Sequence, residues 1–479
     1  MKKQFDLYQY LLDEKQEEEL SVQEETIAED TDYRDFYGLC KDILDEISGP
    51  DGETNQLEKV KIQRGAIMGY EAESNYYKEK IKSMILKKRV GQVAFPPWYK
   101  NLHEGIFAEL YGFAGLTPWI YDEKPEYEFS TSAKIIGDRI YFLLDGRCQL
   151  QEQRISSMRL EQLKRALLMG YPMERLERGV HEVYLKNGIR VTIFSGNITK
   201  RDNEVIVFRK YVMKSLSFEK LAEYRTIPGD SIRLLTMMVE AGFNVLFCGP
   251  VRSGKTTFLQ TWQSYEDRNL EGVSIATDTE TDWTKIMGDA PFMQLVADGE
   301  EMEGVIKPLL RGDNDYVILE EMRDATAFNF AVDITSIGTR RTKATIHSTS
   351  PKDIPYKMAT KIAYKYGGDV EDIVAQVFKS FQYIFQMKVD EKDPGHRVLA
   401  TITELYVDEK GNHFREILTY DWATEDWTFA RNSKRLEQEA GIVGMERYEQ
   451  LHRELERLAT LHPGHSLEGK GEEQVQENE

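Results

Sequence analysis

The chain has no run of apolar residues long enough to cross a bilayer, so a protein inserted through membrane helices is not expected. Its opening stretch, MKKQFDLYQYLLDEKQEEEL, turns acidic where a secretory signal would be apolar, which points to the cytoplasm. Positive charge is in deficit: 62 Lys and Arg against 82 Asp and Glu leave a formal net charge of −20. So acidic a chain is a poor fit to DNA, whose phosphates need clustered cations, and to direct docking on anionic lipid. Neither direct nucleic-acid binding nor membrane insertion is therefore expected. Cysteine is scarce as well. Cys40, Cys148 and Cys248 are far apart and match no metal-ligand spacing, so they read as small hydrophobes rather than as ligands or bridges. No internal repeat is visible.

What is present suits a soluble globular protein of about three domains, with 41% hydrophobic and 30% charged residues in 479. Residues 1–95 read as an acidic arm (Asp13, Glu14, Glu17, Glu18, Glu19) followed by a small helical module, in which Phe36, Leu39, Cys40, Ile43, Leu44 and Ile47 recur at helical spacing. FPPW at Phe95 to Trp98 cannot continue a helix and marks a boundary. Residues 96–228 have the texture of a mixed α+β domain. Strand-like stretches at Ile135 to Leu144, Val180 to Leu185, Ile189 to Phe194 and Glu204 to Phe208 surround a helix expected at Arg159 to Leu168, with turns at Asp145-Gly146 and Asn187-Gly188. Over residues 229–425 strands alternate with helices, as in a parallel sheet with crossover connections. A helical segment over residues 426–462 carries the stripe Met445, Tyr448, Leu451, Leu455 and Leu458, read as a helix packed on its own domain. The tail, residues 463–479, is polar and low in apolar content, and disorder is expected there.

The densest chemistry lies in Asn244 to Leu259, NVLFCGPVRSGKTTFL. An apolar strand, a glycine turn and a helix start enclose the pattern G-x-x-x-x-G-K-[ST], a P-loop. The backbone over Gly249, Pro250, Val251, Arg252, Ser253, Gly254, Lys255, Thr256 and Thr257, with an N–H at every position but Pro250, would wrap a phosphate at the helix N-terminus, with Lys255 on the outer phosphates and Thr256 on Mg²⁺. Hydrolysis asks for more: a held metal, an oriented water and donors for the γ-phosphate. Three later stretches offer these. DYVILEEMR at Asp315 to Arg323 is a buried strand ending in Glu320 and Glu321, of which alternation lets only one face the nucleotide. SIATDTETD at Ser274 to Asp282 brings Asp278 and Glu280, either of which would order water or a metal-bound water, with Asp278 the further metal candidate; a plain polar loop is the alternative. ATIHSTS at Ala344 to Ser350 ends a strand at His347, either a structural residue or a sensor of the γ-phosphate.

In this order and spacing, P-loop, acidic strand ends and ATIHSTS resemble the type II/type IV secretion and pilus-assembly traffic ATPases, closest to the Tad/Flp pilus (CpaF-like) branch. The likeness runs from about Leu110 to Leu405 and takes in Asn187 to Val191, Val207 to Lys210, and Gly395-His396-Arg397. It implies an α/β fold, with a RecA-like P-loop core preceded by a mixed α+β domain and the helical module, and ATP and Mg²⁺ as ligands. It also implies Glu321 in the catalytic glutamate position, with Arg323, His347 and one of Asp278 and Glu280 assisting. Arg190 and Arg209 match the cations that the family's N-terminal domain brings to the nucleotide; surface or structural arginines are the alternative. A homohexameric ring and an inner-membrane platform protein as partner are likewise implied, with the chain peripheral to the cytoplasmic membrane through that partner. Pro250 replaces a loop glycine, Glu320 the glycine before the catalytic glutamate, and Thr349 the asparagine of the histidine box. These departures keep open a nucleotide-binding assembly scaffold with weak or no turnover. A P-loop kinase is disfavoured, since nothing resembles a lid or an acceptor pocket.

Overall fold

The computed structural model describes residues 33–48, 56–168, 179–194, 198–200, 203–210, 217–277, 281–297, 299–463 and 473–474. The acidic arm, residues 278–280 and nearly all of the tail lie outside them. The chain divides into two compact units, residues 1–212 and 213–479.

The first unit opens with helices at Arg34–Ser48, Gln56–Ile67, Glu71–Lys88 and Leu102–Tyr111. They close around Phe36, Cys40, Ile43, Ile81 and Ile106, with the Tyr77 and Tyr111 rings stacked at 3.8 Å between centroids. A six-stranded antiparallel sheet follows, made of β1 (Ser132–Ile136), β2 (Arg139–Leu144), β3 (Arg147–Arg154), β4 (Val180–Tyr184), β5 (Arg190–Phe194) and β6 (Val205–Arg209). Its order is β3-β2-β1-β6-β5-β4. Alternation sends Ala133, Ile135, Val191, Ile193, Ile206 and Phe208 to one face, where Leu160, Leu163 and Leu167 of the helix Ser157–Leu168 join them. The single stretch read from Ile135 to Leu144 is a hairpin instead. Gly137 turns it at φ +61°, a value glycine takes without cost, and Ile136 pairs with Arg139.

The second unit is built on a sheet of β7 (Val245–Gly249), β8 (Gly272–Ala276), β9 (Phe292–Val296), β10 (Tyr316–Met322), β11 (Lys343–His347), β12 (Tyr383–Val389), β13 (Arg397–Asp408), β14 (Gly411–Asp421) and β15 (Asp426–Phe429). Their order is β15-β14-β13-β12-β7-β11-β10-β8-β9, with Glu473–Gln474 pairing on β14. From β12 to β9 every pair is parallel. With the edge strand β9 set aside, these run fifth, first, fourth, third, second in chain order, the arrangement of a RecA-like P-loop core. Both faces are covered, which is why the strands read as continuous apolar runs. Phe247 packs with Phe258, Trp262 and Phe385 on one side, and Leu246 and Cys248 with Leu319, Phe330 and Ile346 on the other.

The parallel sheet expected over residues 229–425 reaches only to β12, beyond which β12 to β15 form an antiparallel extension. Val389 pairs with Arg397, Asp408 with Gly411, and Asp421 with Asp426, so the links are far too short for a crossover. The helix Met445–Leu461 buries Leu451, Leu455 and Leu458 in the same core as Phe247, with Tyr448 packed beside them and Met445 left exposed.

Just past the helix that follows the P-loop, Glu266 accepts from Lys343 at 2.7 Å and from Arg341, while the Lys343 ammonium lies over the Tyr316 ring. Glu266 and Lys343 are fully buried, and burial pushes the Lys343 ammonium down while Glu266 holds it up. Glu266→Ala strands the buried Lys343 ammonium, while the partly exposed Arg341 keeps the Val239 and Glu240 carbonyls, and a loss of about 3–5 kcal/mol is expected. Urea unfolding of the full chain measures it; a loss below about 1 kcal/mol, the scale of an exposed ion pair, contradicts this account.

Candidate functional site

The carboxyl ends of β7, β11 and β10 lie side by side, which is where an open α/β sheet binds its ligand. Register sets the details: Gly249 stands opposite His347, and Ile346 opposite Met322. The residues expected to do chemistry on three separate strands are thereby brought together.

The loop after β7 is shaped by its glycines. Gly249 sits at φ +149°, and a Cβ there would stand 2.3 Å from the Met387 carbonyl oxygen of β12. Gly254 turns the chain at φ +89° into the helix Lys255–Ser264, whose first N–H groups face the loop. Pro250 supplies no N–H, but its carbonyl is used: Lys255 Nζ donates to it at 2.8 Å and the Ser253 hydroxyl at 2.9 Å. The Lys255 side chain is held inward by this contact and by burial, which pushes its ammonium down to about 8 despite the opposing charge of Glu321.

From Lys255 a chain of hydrogen bonds crosses the site. Lys255 Nζ lies 3.2 Å from His347 Nδ1, and His347 Nε2 lies 2.9 Å from Glu321 Oε1. An ammonium has only donors, so Nδ1 accepts, and a neutral His347 then carries its proton on Nε2 and donates it to Glu321. The second Glu321 oxygen accepts from Arg323 at 2.6 Å. Burial pushes the Glu321 carboxyl up, but the bonds from His347 and Arg323 together outweigh it and bring it down to about 2.

Glu320, its neighbour, goes elsewhere. The register of β10 against β11 slips between Leu319 and Met322, a bulge that sets Glu320 and Glu321 against Thr345. Glu320 is buried and accepts from the Trp283 indole at 2.6 Å, its backbone carbonyl accepting from Thr345. Only one of the two acids joins the P-loop, as alternation requires.

Asp278 and Glu280 lie outside the described residues. Arg190 and Arg209 belong to the first unit, where they are direct cross-strand partners on β5 and β6, facing away from its core. Three contacts were not foreseen. Lys357 donates to the His347 carbonyl at 2.5 Å, Gln386 to the Thr349 carbonyl at 2.6 Å, and Arg397 to the Arg252 carbonyl at 3.2 Å. Only Gly395-His396-Arg397 carried any signal in the sequence.

The donor set suits a nucleotide with Mg²⁺. Among the described residues no three His, Cys, Asp or Glu side chains gather to hold a metal. A metal here would rest on the Thr256 hydroxyl and on phosphate oxygens, the usual way Mg²⁺ is held at a P-loop.

Residues 195–391 match the model of the type II/IV secretion system protein family. No curated protein matches the chain. The chain is similar to the VirB11 ATPase of the Brucella suis type IV secretion system, solved in complex with sulphate, at 14% identity over 60% of this chain and 92% of that one, with a TM-score of 0.33. The Legionella pneumophila ATPase DotB is similar at 13% identity over 71% and 88%, with a TM-score of 0.44. The pilus retraction motor PilT with bound ADP is similar at 14% identity over 74% and 94%, with a TM-score of 0.44. No described helix is long and apolar enough to cross a membrane.

The lowered Lys255 ammonium sets a pH dependence. Above about 8 the empty site loses this proton, and binding a phosphate then requires taking one up, so affinity falls as pH rises. ADP affinity, measured calorimetrically, is expected to drop roughly five-fold between pH 8 and 9 and little between pH 6 and 7. A flat profile from pH 6 to 9 removes Lys255 from the phosphate site.

Proposed function

We propose that the chain binds ATP with Mg²⁺ and hydrolyses it as the motor of a secretion, pilus-assembly or conjugation machine, with the Tad/Flp pilus branch as the favoured system. The observation that carries the reading is the connected run Lys255, His347, Glu321 and Arg323 at the ends of β11 and β10, beside the P-loop of β7. Mg²⁺, when bound, neutralises charge on the β- and γ-phosphates.

In this reading the residues divide the work. Lys255 exchanges the Pro250 carbonyl and His347 for phosphate oxygens. That exchange frees His347 Nδ1, so the arrival and loss of the γ-phosphate are felt directly at Glu321. Glu321, a carboxylate throughout the physiological range, orients and polarises water rather than storing its proton. Thr256 would hold the metal, with Asp278 as a further ligand, Asp278 or Glu280 would assist in ordering water, and Arg190 and Arg209 would meet the phosphates as cations. Domain movement then follows the nucleotide state in a homohexameric ring. The chain works in the cytoplasm, held at the membrane by an inner-membrane platform protein.

A second reading, a nucleotide-binding scaffold without useful turnover, is favoured by Pro250, which takes one donor from the loop, and by the two partners that already occupy Glu321. Lys255→Ala and Glu321→Gln separate the two. Steady phosphate release that falls at least about a hundred-fold in both variants, with Glu321→Gln still binding ATP, supports the motor. Tight ATP binding by the unaltered chain with no release supports the scaffold.

A further inference from the structure

Because Pro250 leaves the loop one N–H short, the aim of the remaining donors matters more. The Ser253 N–H shares a peptide plane with the Arg252 carbonyl, and in a trans peptide the two point in opposite directions. That carbonyl is captured. Arg397 donates its Nε–H to it at 3.2 Å and an Nη1–H to the Gly395 carbonyl at 2.7 Å. The Ser253 N–H is accordingly turned the other way, toward the Pro250 oxygen at 3.4 Å, the same oxygen that Lys255 reaches. Arg252 holds φ +65°, which a side chain of its size rarely adopts, so this peptide depends on an outside hold. The Arg397 stem adds to it, with Cδ 3.5 Å from where a Cβ on Gly254 would stand.

Arg397 is itself well fixed. It opens β13 directly after a hairpin closed by Asp390 N–H to the His396 carbonyl at 3.0 Å and His396 N–H to the Asp393 carbonyl at 2.9 Å. The strand is tied down again at Leu399, which donates to the Thr226 carbonyl at 2.8 Å. Burial pushes the Arg397 guanidinium down; Asp393 opposes this, and Arg252 adds to it.

We propose that Arg397 is a positioning residue for phosphate: by holding the Arg252 carbonyl outward it aims the Ser253 N–H into the loop for the phosphate chain of a nucleoside di- or triphosphate. The inference rests on the nucleotide reading above and adds to it a residue outside the P-loop motif.

The test uses the full chain, with ADP and ATP as probes. Arg397→Lys keeps the charge and most of the stem but loses the planar Nε donor; Arg397→Met keeps only the stem along Gly254. Calorimetry is expected to show ADP bound about ten-fold more weakly by Arg397→Lys and at least as weakly by Arg397→Met, with thermal midpoints near that of the unaltered chain. KM for ATP should rise by the same factor while kcat moves less than about two-fold, a split that general loosening of the fold would not produce. In an Arg252→Gly background, where the peptide is free to rotate, Arg397→Lys should add little. Unchanged ADP affinity in either folded Arg397 variant, or full additivity with Arg252→Gly, overturns the inference and leaves the nucleotide reading standing. An unaltered chain that binds neither ADP nor ATP overturns both.

Discussion

The helix that follows the P-loop is fastened to β11 at both ends, and the site depends on that double attachment. At its amino end Lys255 meets His347, the last residue of β11; just past its carboxyl end Glu266 meets Lys343, the first. The spans agree. From Lys255 to Glu266 the chain rises about 16 Å at helical pitch, and β11 covers about 13 Å. A one-residue slip of β11 would send His347 to the other face and bury Lys343 without its acid, so both attachments enforce the same register.

The consequences of this register are local. With β11 in place, Gly249 faces His347, and the bulge in β10 decides which of two adjacent acids reaches the imidazole. Glu321 does, and its carboxylate is held by His347 and Arg323; Glu320 turns to the Trp283 indole and ties β10 to the segment after β8. Lys255 is partly stripped of water and needs acceptors, which the Pro250 carbonyl and His347 supply. The same desolvation that lowers its ammonium makes it a strong partner for phosphate. The antiparallel strands β13 to β15 extend the sheet beyond β12, and through Arg397 they reach back to the loop.

Much of the site was legible in the sequence because its parts are short and each obeys a local rule. A glycine-framed loop before Lys255-Thr256, an apolar strand ending in Glu320-Glu321, and ATIHSTS each announce a strand end at a sheet's ligand-binding edge. The hairpin at Gly137 was hidden because apolar residues flank the turn and made two strands look like one. The antiparallel extension was hidden for a related reason: a short polar link reads alike whether the next strand returns beside its neighbour or crosses over. Arg397 and Trp283 were beyond such reading, since their partners lie 145 and 37 residues away in the chain.

The sequence by itself determined the elements and the chemical inventory: a P-loop strand and helix, buried parallel strands with acids and a histidine at their ends, and the loss of one loop donor at Pro250. Covalent structure and short-range periodicity suffice for these. Tertiary structure decided which atoms meet: that His347 bridges Lys255 and Glu321, that Glu320 is a buried tie, and that Arg397 braces the loop. Register, a bulge and a returning hairpin settle those contacts, and each depends on strands that become neighbours only when the sheet has formed.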